Sequence, residues 1–418
     1  MKKLITLPIL ITAMSLQLFA GGQTRKVLVI GIDGTRADAL QQANTPNIDS
    51  LVAHGFSCFD SWHLDITVSG PSWSSIMCGV YHNKHGVTGN SYSNTNYNNY
   101  PYFPTRAKEF KPNLRCIQYT EWAPMSDNVY NDGWDLKLKG PDGATVTTGN
   151  AAVTQLQDPD VDVLFTYFDA VDLTGHSTGF NPNNAAYINA IQSVDLQIGN
   201  IMTALRARPN YANEDWLVLM TTDHGGIGTG HGGNTATERK IWWIGYSERG
   251  LTSQISGQPD PGTYNPQLPV LTATDTAKQR LAPVQADIAV TAIHHLIYDS
   301  GQRPENQTAW NLDGKSWLCD MGLCSEKLVG INEVKKNNLF VIYPNPTKNS
   351  FTITAAQSLS NKVSQLTIID QLGKIVYAEK DILLNANKTI DGANLQSGVY
   401  FIEIKSEEGK AVQRLIIE

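Results

Sequence analysis

Trp216-Leu217-Val218-Leu219-Met220-Thr221-Thr222-Asp223-His224-Gly225 decides how this chain is read. The run Trp216 to Met220 is apolar throughout, which predicts a strand buried on both faces. It leads into adjacent oxygen and nitrogen donors at Asp223 and His224. Seven residues beyond His224 comes His231, inside Gly230-His231-Gly232-Gly233. An apolar strand that ends in metal-ligand residue types, on a backbone loosened by glycine, predicts a metal site at a sheet edge.

Working outward, strands and helices alternate from about 25 to 324. Val27-Leu28-Val29-Ile30 is a second continuous apolar run, and it ends at Asp33-Gly34. Val161 to Phe168 and Ile241 to Ile244 predict further strands. Thr45-Pro46 supplies a helix cap and a first-turn proline, with Gly55 beyond the end. Tyr187, Ile191, Val194, Ile198, Ile201 and Leu205 recur at helical spacing, so that helix buries one face. Ile288 to Ile297 predicts another helix, on which neighbours His294 and His295 point apart, one into the core and one to solvent. The expected fold is α/β: a mostly parallel sheet sandwiched by helices, with ligands beyond the strands' carboxyl ends. Residues 90–149, rich in Asn, Tyr, Gly and Pro, read as an irregular insert over the sheet edge.

Length and composition set the bounds. A chain of 418 residues predicts two or three domains. A net charge of -7, with both signs interspersed, argues against a nucleic-acid-binding surface. Met1-Lys2-Lys3, the apolar stretch Leu4 to Phe19, and Ala20 before two glycines predict a secretory leader over 1–20. A membrane anchor is the alternative, against which stand the short run and Pro8. Of the five cysteines, Cys319 and Cys324 are expected to pair, and Cys78 to be a buried free thiol. The cysteine spacing does not predict a metal site. The domain plan is therefore a catalytic unit over 21–324, a polar linker over 325–337, and a small antiparallel β-sandwich over 338–418.

Collected from the strand ends, Asp33, Asp172, Asp223, His176, His224 and His231 offer three carboxylates and three imidazoles. Ser69 adds a hydroxyl at a helix N-terminus. Mixed nitrogen and oxygen donors suit two divalent ions, zinc being the best match. A close pair of ions suits displacement at phosphorus.

At this point the chain resembles the alkaline phosphatase superfamily, and within it the nucleotide pyrophosphatase/phosphodiesterase branch. The resemblance covers roughly 25–300 and rests on ordered motifs. They are Val29 to Arg36, Asn44 to Leu51, Ser69-Gly70-Pro71 with Gly79-Val80-Tyr81 and His85-Gly86-Val87, Asp172 with Gly175-His176, and Thr222 to Gly226 with Gly230-His231-Gly232. It implies one ion on Asp172, His176 and His231. It places the other on Asp33, Asp223, His224 and the Ser69 oxygen. It also implies Ser69 as nucleophile through a phosphoserine, and Asn90 as donor to a non-bridging phosphoryl oxygen. Helix amides after Ser69 are expected to help hold the phosphoryl group.

Sulfatases share this scaffold and are the alternative. They need arginine two residues beyond the proline, where Trp73 stands, and paired aspartates where this chain has Asp33-Gly34. A non-catalytic surface binding protein on the same scaffold is the rival from another class. The substrate class, monoester, diester or pyrophosphate, stays open. Tyr92, Tyr97, Tyr100, Tyr119 and Trp122 could stack an aromatic group, and Lys137 and Lys139 could meet a terminal phosphate; packing and solvation are the plainer readings. His54 and His63 read as surface or packing residues, Asp195 as structural.

The C-terminal stretch carries a second resemblance. Tyr343-Pro344-Asn345-Pro346 with Gly398-Val399-Tyr400-Phe401 is similar to type IX secretion sorting domains. That implies export through the periplasm to the medium or the cell surface, with the outer-membrane secretion machinery as partner. A carbohydrate-binding sandwich is the alternative.

Overall fold

A computed structural model describes residues 23–249, 251, 253–254, 282–324, 340–355, 363–370, 374–383, 387–406 and 409–417. The leader at 1–20 and the linker at 325–337 lie outside these residues. The chain divides into two compact units, 1–324 and 325–418.

The first unit is built on one sheet. Its strands are β1 (Thr24–Ile32), β2 (Phe56–Trp62), β3 (Arg115–Thr120), β4 (Leu136–Lys139), β5 (Val161–Phe168), β6 (Glu214–Thr221), β7 (Lys240–Tyr246) and β8 (Ser253–Gln254). They lie in the order β4-β3-β5-β1-β6-β7-β2-β8. β5, β1 and β6 run parallel at its centre, while β7 runs antiparallel to both β6 and β2.

The alternation of β1 explains why both faces are covered. Val27 and Val29 enter one apolar core, with Trp73, Ile76 and Met77 of the Ser69–Cys78 helix and Ile288, Ile293 and Leu296 of the Asp287–Ile297 helix. Leu28, Ile30 and Ile32 enter the other, with Ile48 and Leu51 and with the apolar stripe of the Ala185–Arg206 helix. Successive side chains leave a strand on opposite faces, so a continuous apolar run serves two layers at once. At β1 this places Val29, Gly31 and Asp33 on the face that carries the Ser69–Cys78 helix.

The structure departs from expectation in three places. Residues 90–149 are not an irregular excursion. They contribute β3 and β4 to the main sheet, and helices at Phe103–Lys108, Ala123–Asp127 and from Thr145 onward. His294 and His295 are both buried, because the 308–324 segment covers the outer side of their helix. Trp317 bonds Thr291 and Asp287, His294 Nδ1 lies 2.7 Å from Ser316 Oγ, and His295 bonds the Asp215 carbonyl. The Pro46–Ala53 helix, finally, is not capped by the Thr45 side chain. Asp195, from the long helix, accepts from Ile48 N at 2.8 Å and from Asn47 Nδ2 at 2.9 Å instead.

Cys319 and Cys324 form a disulfide, and Cys58, Cys78 and Cys116 are buried free thiols. Among the described residues no helix is long and apolar enough to cross a membrane.

The second unit contains β9 (Phe340–Tyr343), β10 (Ser350–Ala355), β11 (Val363–Asp370), β12 (Ile375–Leu383), β13 (Asn387–Asp391), β14 (Gly398–Ser406) and β15 (Gly409–Ile417). They form two antiparallel sheets, β13-β10-β9 and β12-β11-β14-β15. Phe351 and Ile353 of one sheet pack with Leu366, Ile368, Ile402 and Ile404 of the other.

Asp195 carries a testable claim. Replacing it by alanine strips a buried helix start of its acceptor, which costs roughly 1–3 kcal/mol. Denaturant unfolding of the chelated protein should show the midpoint falling. An unchanged midpoint would mean that solvent caps this helix as well as Asp195 does.

Candidate metal centre

Three adjacent parallel strands end side by side, and each hands a carboxylate to the same place. Asp33 follows β1, Asp223 follows β6, and Asp172 lies on the Ala170–Thr178 helix after β5. Four residues on, one helical turn, His176 brings Nε2 to 3.3 Å from Asp172 Oδ2. His224 Nε2 stands 3.2 Å from Asp223 Oδ2, 3.5 Å from Asp33 Oδ1 and 3.5 Å from Ser69 Oγ. His231 Nε2 lies 3.1 Å from His176 Nε2 and 3.8 Å from Asp172 Oδ1. All seven expected residues therefore converge.

The donor set fits cations on two counts. Asp33 Oδ1, Asp172 Oδ1 and Asp223 Oδ2 are buried oxygens without a hydrogen-bond donor. Buried carboxylate oxygens in that state are costly unless something positive meets them. Each imidazole, meanwhile, is held by a backbone carbonyl. Nδ1 of His176 bonds Thr229 O at 2.9 Å, Nδ1 of His224 bonds Gly225 O at 2.8 Å, and Nδ1 of His231 bonds Thr67 O at 2.9 Å. A carbonyl can only accept, so Nδ1 carries the hydrogen and Nε2 is turned inward as the ligand atom. Asp33, Asp223 and His224 form one group able to hold an ion, and Asp172, His224 and His231 another.

Electrostatics agree. Burial, then the charge of Asp172, pushes Asp33 well above the usual carboxylate range. Burial, then the charge of Asp33, does the same to Asp223. Burial and the neighbouring His231 hold His224 well below the ordinary imidazole value. The Asp172 carboxylate, which accepts a hydrogen bond from the protonated ring, lifts the half-open His176 to about 9. Such mutual frustration is what divalent charge relieves.

Close approach dictates two glycines. Gly34 has φ +62°, and a Cβ there would sit 2.5 Å from Asp172 Oδ1. A Cβ on Gly70 would meet Gly89 O at 2.8 Å and Asn90 Oδ1 at 3.1 Å. Gly70 N instead donates to Asn90 Oδ1 at 2.8 Å, so the exposed Asn90 has its NH2 group left for a ligand. That amide is thus engaged by Asn90, which corrects the expectation that it would hold a phosphoryl oxygen itself.

The loop before Ser69 is fixed from both sides. His63 Nε2 bonds Ser72 Oγ, Ser75 Oγ donates to Asp65 Oδ2, and His85 Nε2 bonds Ser75 Oγ. Thr67 accepts from His231 through its carbonyl and donates its hydroxyl to Gly233 O at 2.7 Å. Of the two histidines read as surface or packing residues, His63 is buried and holds the start of the Ser69 helix, while His54 is exposed and bonds the Ser50 carbonyl.

Of the other candidates, both lysines are engaged elsewhere, and Tyr92 is a buried neighbour whose hydroxyl is pushed up by burial, then by Tyr97 and the charges of Asp33 and Asp223. Lys137 pairs with Asp132 at 2.7 Å and Lys139 with Asp127 at 2.6 Å. Tyr92, Tyr97 and Tyr119 are buried in packing contacts. Two residues not expected as part of the site do touch it: Trp73 Nε1 donates to Asp33 Oδ2 at 2.9 Å, and the Tyr167 hydroxyl donates to the same oxygen. Strand register places Tyr167, and the packing of the Ser69–Cys78 helix on the sheet places Trp73.

An α/β sheet with carboxylates and imidazoles gathered at its central strand ends defines a candidate metal centre. The family model for type I phosphodiesterase / nucleotide pyrophosphatase matches residues 27–124 and 117–237, and the chain belongs to that family. Residues 341–418 match the secretion system C-terminal sorting domain. Human ectonucleotide pyrophosphatase/phosphodiesterase family member 7 is 25% identical over 235 residues, 49% of this chain and 48% of that protein. The bis(5'-adenosyl)-triphosphatase ENPP4 of Bos taurus is 22% identical over 218 residues, 48% of this chain and 47% of its own. The chain thus spans about half the length of these curated relatives. Among solved structures, a 2-O GAG sulfatase matches with TM-score 0.50 at 12% identity, covering 93% of this chain and 84% of its own. A protein solved with its substrate D-glucosamine-2-N,6-O-disulfate matches with TM-score 0.51 at 10% identity, over 88% and 91%. These two show the shared fold.

The loop anchor makes a pH prediction. Burial raises the Asp65 carboxyl, but the hydrogen bond and charge of His82 outweigh it and bring it to about 2. His82 loses by burial and gains more from Asp65, so its value is raised. Asp65 therefore adds stability that is complete above its unfolded value of ~3.9 and lost as pH falls toward 2. The His82 share is complete below ~6.5 and lost as pH rises through its folded value. Asp65→Asn should destabilise the chelated protein by roughly 3 kcal/mol or more near pH 5. Melts across pH should show this gap narrowing at both ends; a gap independent of pH would refute the ion pair.

Proposed function

We propose that this protein is an exported phosphoester hydrolase that acts on diesters or pyrophosphates through Ser69. The observation that carries the reading is the gathering of three donor-less carboxylate oxygens and three Nε2 atoms in one cluster, with the Ser69 hydroxyl 3.5 Å from His224 Nε2. Asp33, Asp223 and His224 with Ser69 would hold one divalent ion, and Asp172, His176 and His231 the other. Zinc suits this mixed donor set best. Bound there, such ions would lower the pKa of the serine hydroxyl and offset charge on the phosphoryl oxygens.

The chain's own residues do the rest. Ser69, first residue of its helix, attacks phosphorus and an ester oxygen leaves; water then cleaves the phosphoserine. Asn90, its carbonyl fixed by Gly70 N, offers its NH2 to a non-bridging oxygen. Lys137 and Lys139 are spent on Asp132 and Asp127. That favours a substrate whose phosphorus bears two substituents over a terminal phosphate dianion, in line with the names of the curated relatives. The sorting-domain match supports export through the periplasm to the medium or cell surface, with the type IX machinery as partner.

Zinc-loaded protein should be given an aryl phosphate, a bis-aryl phosphate, a nucleotide aryl ester and an aryl sulfate. The diester and the nucleotide ester should be turned over fastest. Ser69→Ala should lose at least ~10³-fold in rate, since covalent attack is gone. Gly70→Ala, which displaces Asn90, should lose about 10²-fold in kcat. Turnover of the sulfate alone would favour the sulfatase alternative. Activity that survives in Ser69→Ala would rule out the serine mechanism, and a chain inert toward every ester would favour a binding protein.

A further inference from the structure

Asp33 has two oxygens with opposite surroundings. Oδ1 is buried, lacks a donor and faces His224 Nε2 at 3.5 Å. Oδ2 receives the indole N–H of Trp73 at 2.9 Å and the hydroxyl of Tyr167. A carboxylate with one edge filled by two neutral donors can give only its other oxygen to a cation. From this geometry, and resting on the two-ion reading above, we infer that Trp73 and Tyr167 are positioning residues. They make Asp33 a single-oxygen ligand aimed at the Ser69 side of the centre.

The surrounding packing is arranged for this. Gly31 lies across from Tyr167 in the β1–β5 register, and it shares the strand face of Asp33. A Cβ at Gly31 would fall 2.4 Å from the Trp73 ring, so glycine is what admits the indole. Trp73 then packs edge-on to Tyr167, with ring centres 5.1 Å apart and planes at 82°. Each ring props the other, and both are fully buried. Because the donors are neutral, they orient Asp33 without cancelling the charge that a cation needs. A lysine or arginine in either position would compete with the ion instead.

The test measures zinc rather than turnover. The full-length protein is stripped with chelator and titrated with Zn2+ against a competing indicator. Trp73→Phe and Tyr167→Phe remove only the donors and keep the rings. Each should weaken one equivalent of zinc about 10–100-fold and leave the other unchanged. Asp172→Asn should weaken the opposite equivalent, which tells the two apart. Melts of the stripped variants report any general loss of structure. Unchanged or tighter binding in both variants, equal weakening of both equivalents, or a wild type that binds no zinc would overturn the inference. Differential weakening without hydrolysis of any ester would leave it standing while the functional reading fell; hydrolysis with unaltered zinc binding would do the reverse.

Discussion

Mutual repulsion among three buried carboxylates is the constraint around which the first unit is organised. Asp33 and Asp223 are almost without exposure; the charge of Asp172 adds to the cost of ionising Asp33, and the charges of Asp33 and Asp172 add to that of Asp223. A fold does not retain such a cluster for its own stability, since removing charge from water is expensive and like charges add to the cost. What holds the group in place is the sheet. Parallel β5, β1 and β6 deliver their carboxyl ends to one line, and the two apolar cores leave the backbone no room to splay. Strain tolerated at so rigid a point is the mark of a place where a counter-charge is expected.

The imidazoles show the same economy from the other side. Thr229, Gly225 and Thr67 each give up a carbonyl to orient a ring. Two of the three lie in the glycine-rich segment after β6, where Gly228 has φ +57° and Gly232 φ +102°. Side chains larger than hydrogen rarely adopt those angles, so the glycines allow the loop to fold back and carry His231 over His224. The two rings stack with centres 3.7 Å apart. Exposure runs in one direction through the cluster, from His224 with none to His176 with 43% of its side chain. The Asp33 half is closed, and the Asp172 half opens to solvent.

How much of this was legible in the sequence depended on whether the signal was local. β1 and β6 announce themselves through unbroken apolar runs, and β5 through a run broken only at Asp162 and Thr166; the ligand residues follow within a few positions. β3 and β4 do not, because Arg115–Thr120 carries Arg, Gln and Thr, and Leu136–Lys139 alternates Leu with Lys. These are strands near the sheet's margin, whose polar residues bond neighbours such as Ser126 and Asp132 rather than a second apolar layer. The cap on the Pro46–Ala53 helix was hidden for a related reason: Asp195 is remote in sequence and reaches Ile48 only after the long helix has packed. Tyr167 and Trp73 were hidden most completely. Their role exists only through the pairing of Gly31 with Tyr167 and the layer that brings Trp73 across.

Trp73 also bears on which ester this scaffold can serve. Its position, two residues beyond Pro71, is where the sulfatase pattern calls for arginine. A fixed guanidinium there would stand beside the carboxylates and neutralise them in part before any ion arrived. The indole gives Asp33 a hydrogen bond and no charge. Arg36, whose side chain packs against Gly225 near the site, is engaged with Asp38 and with the Phe180 and Gly226 carbonyls. On the proposed reading, then, the carboxylates are reserved for cations, and the phosphoryl oxygens meet those cations and Asn90 rather than a basic side chain. A fold shared with a 2-O GAG sulfatase is compatible with this, because topology sets where the strand ends lie and not which donors occupy them.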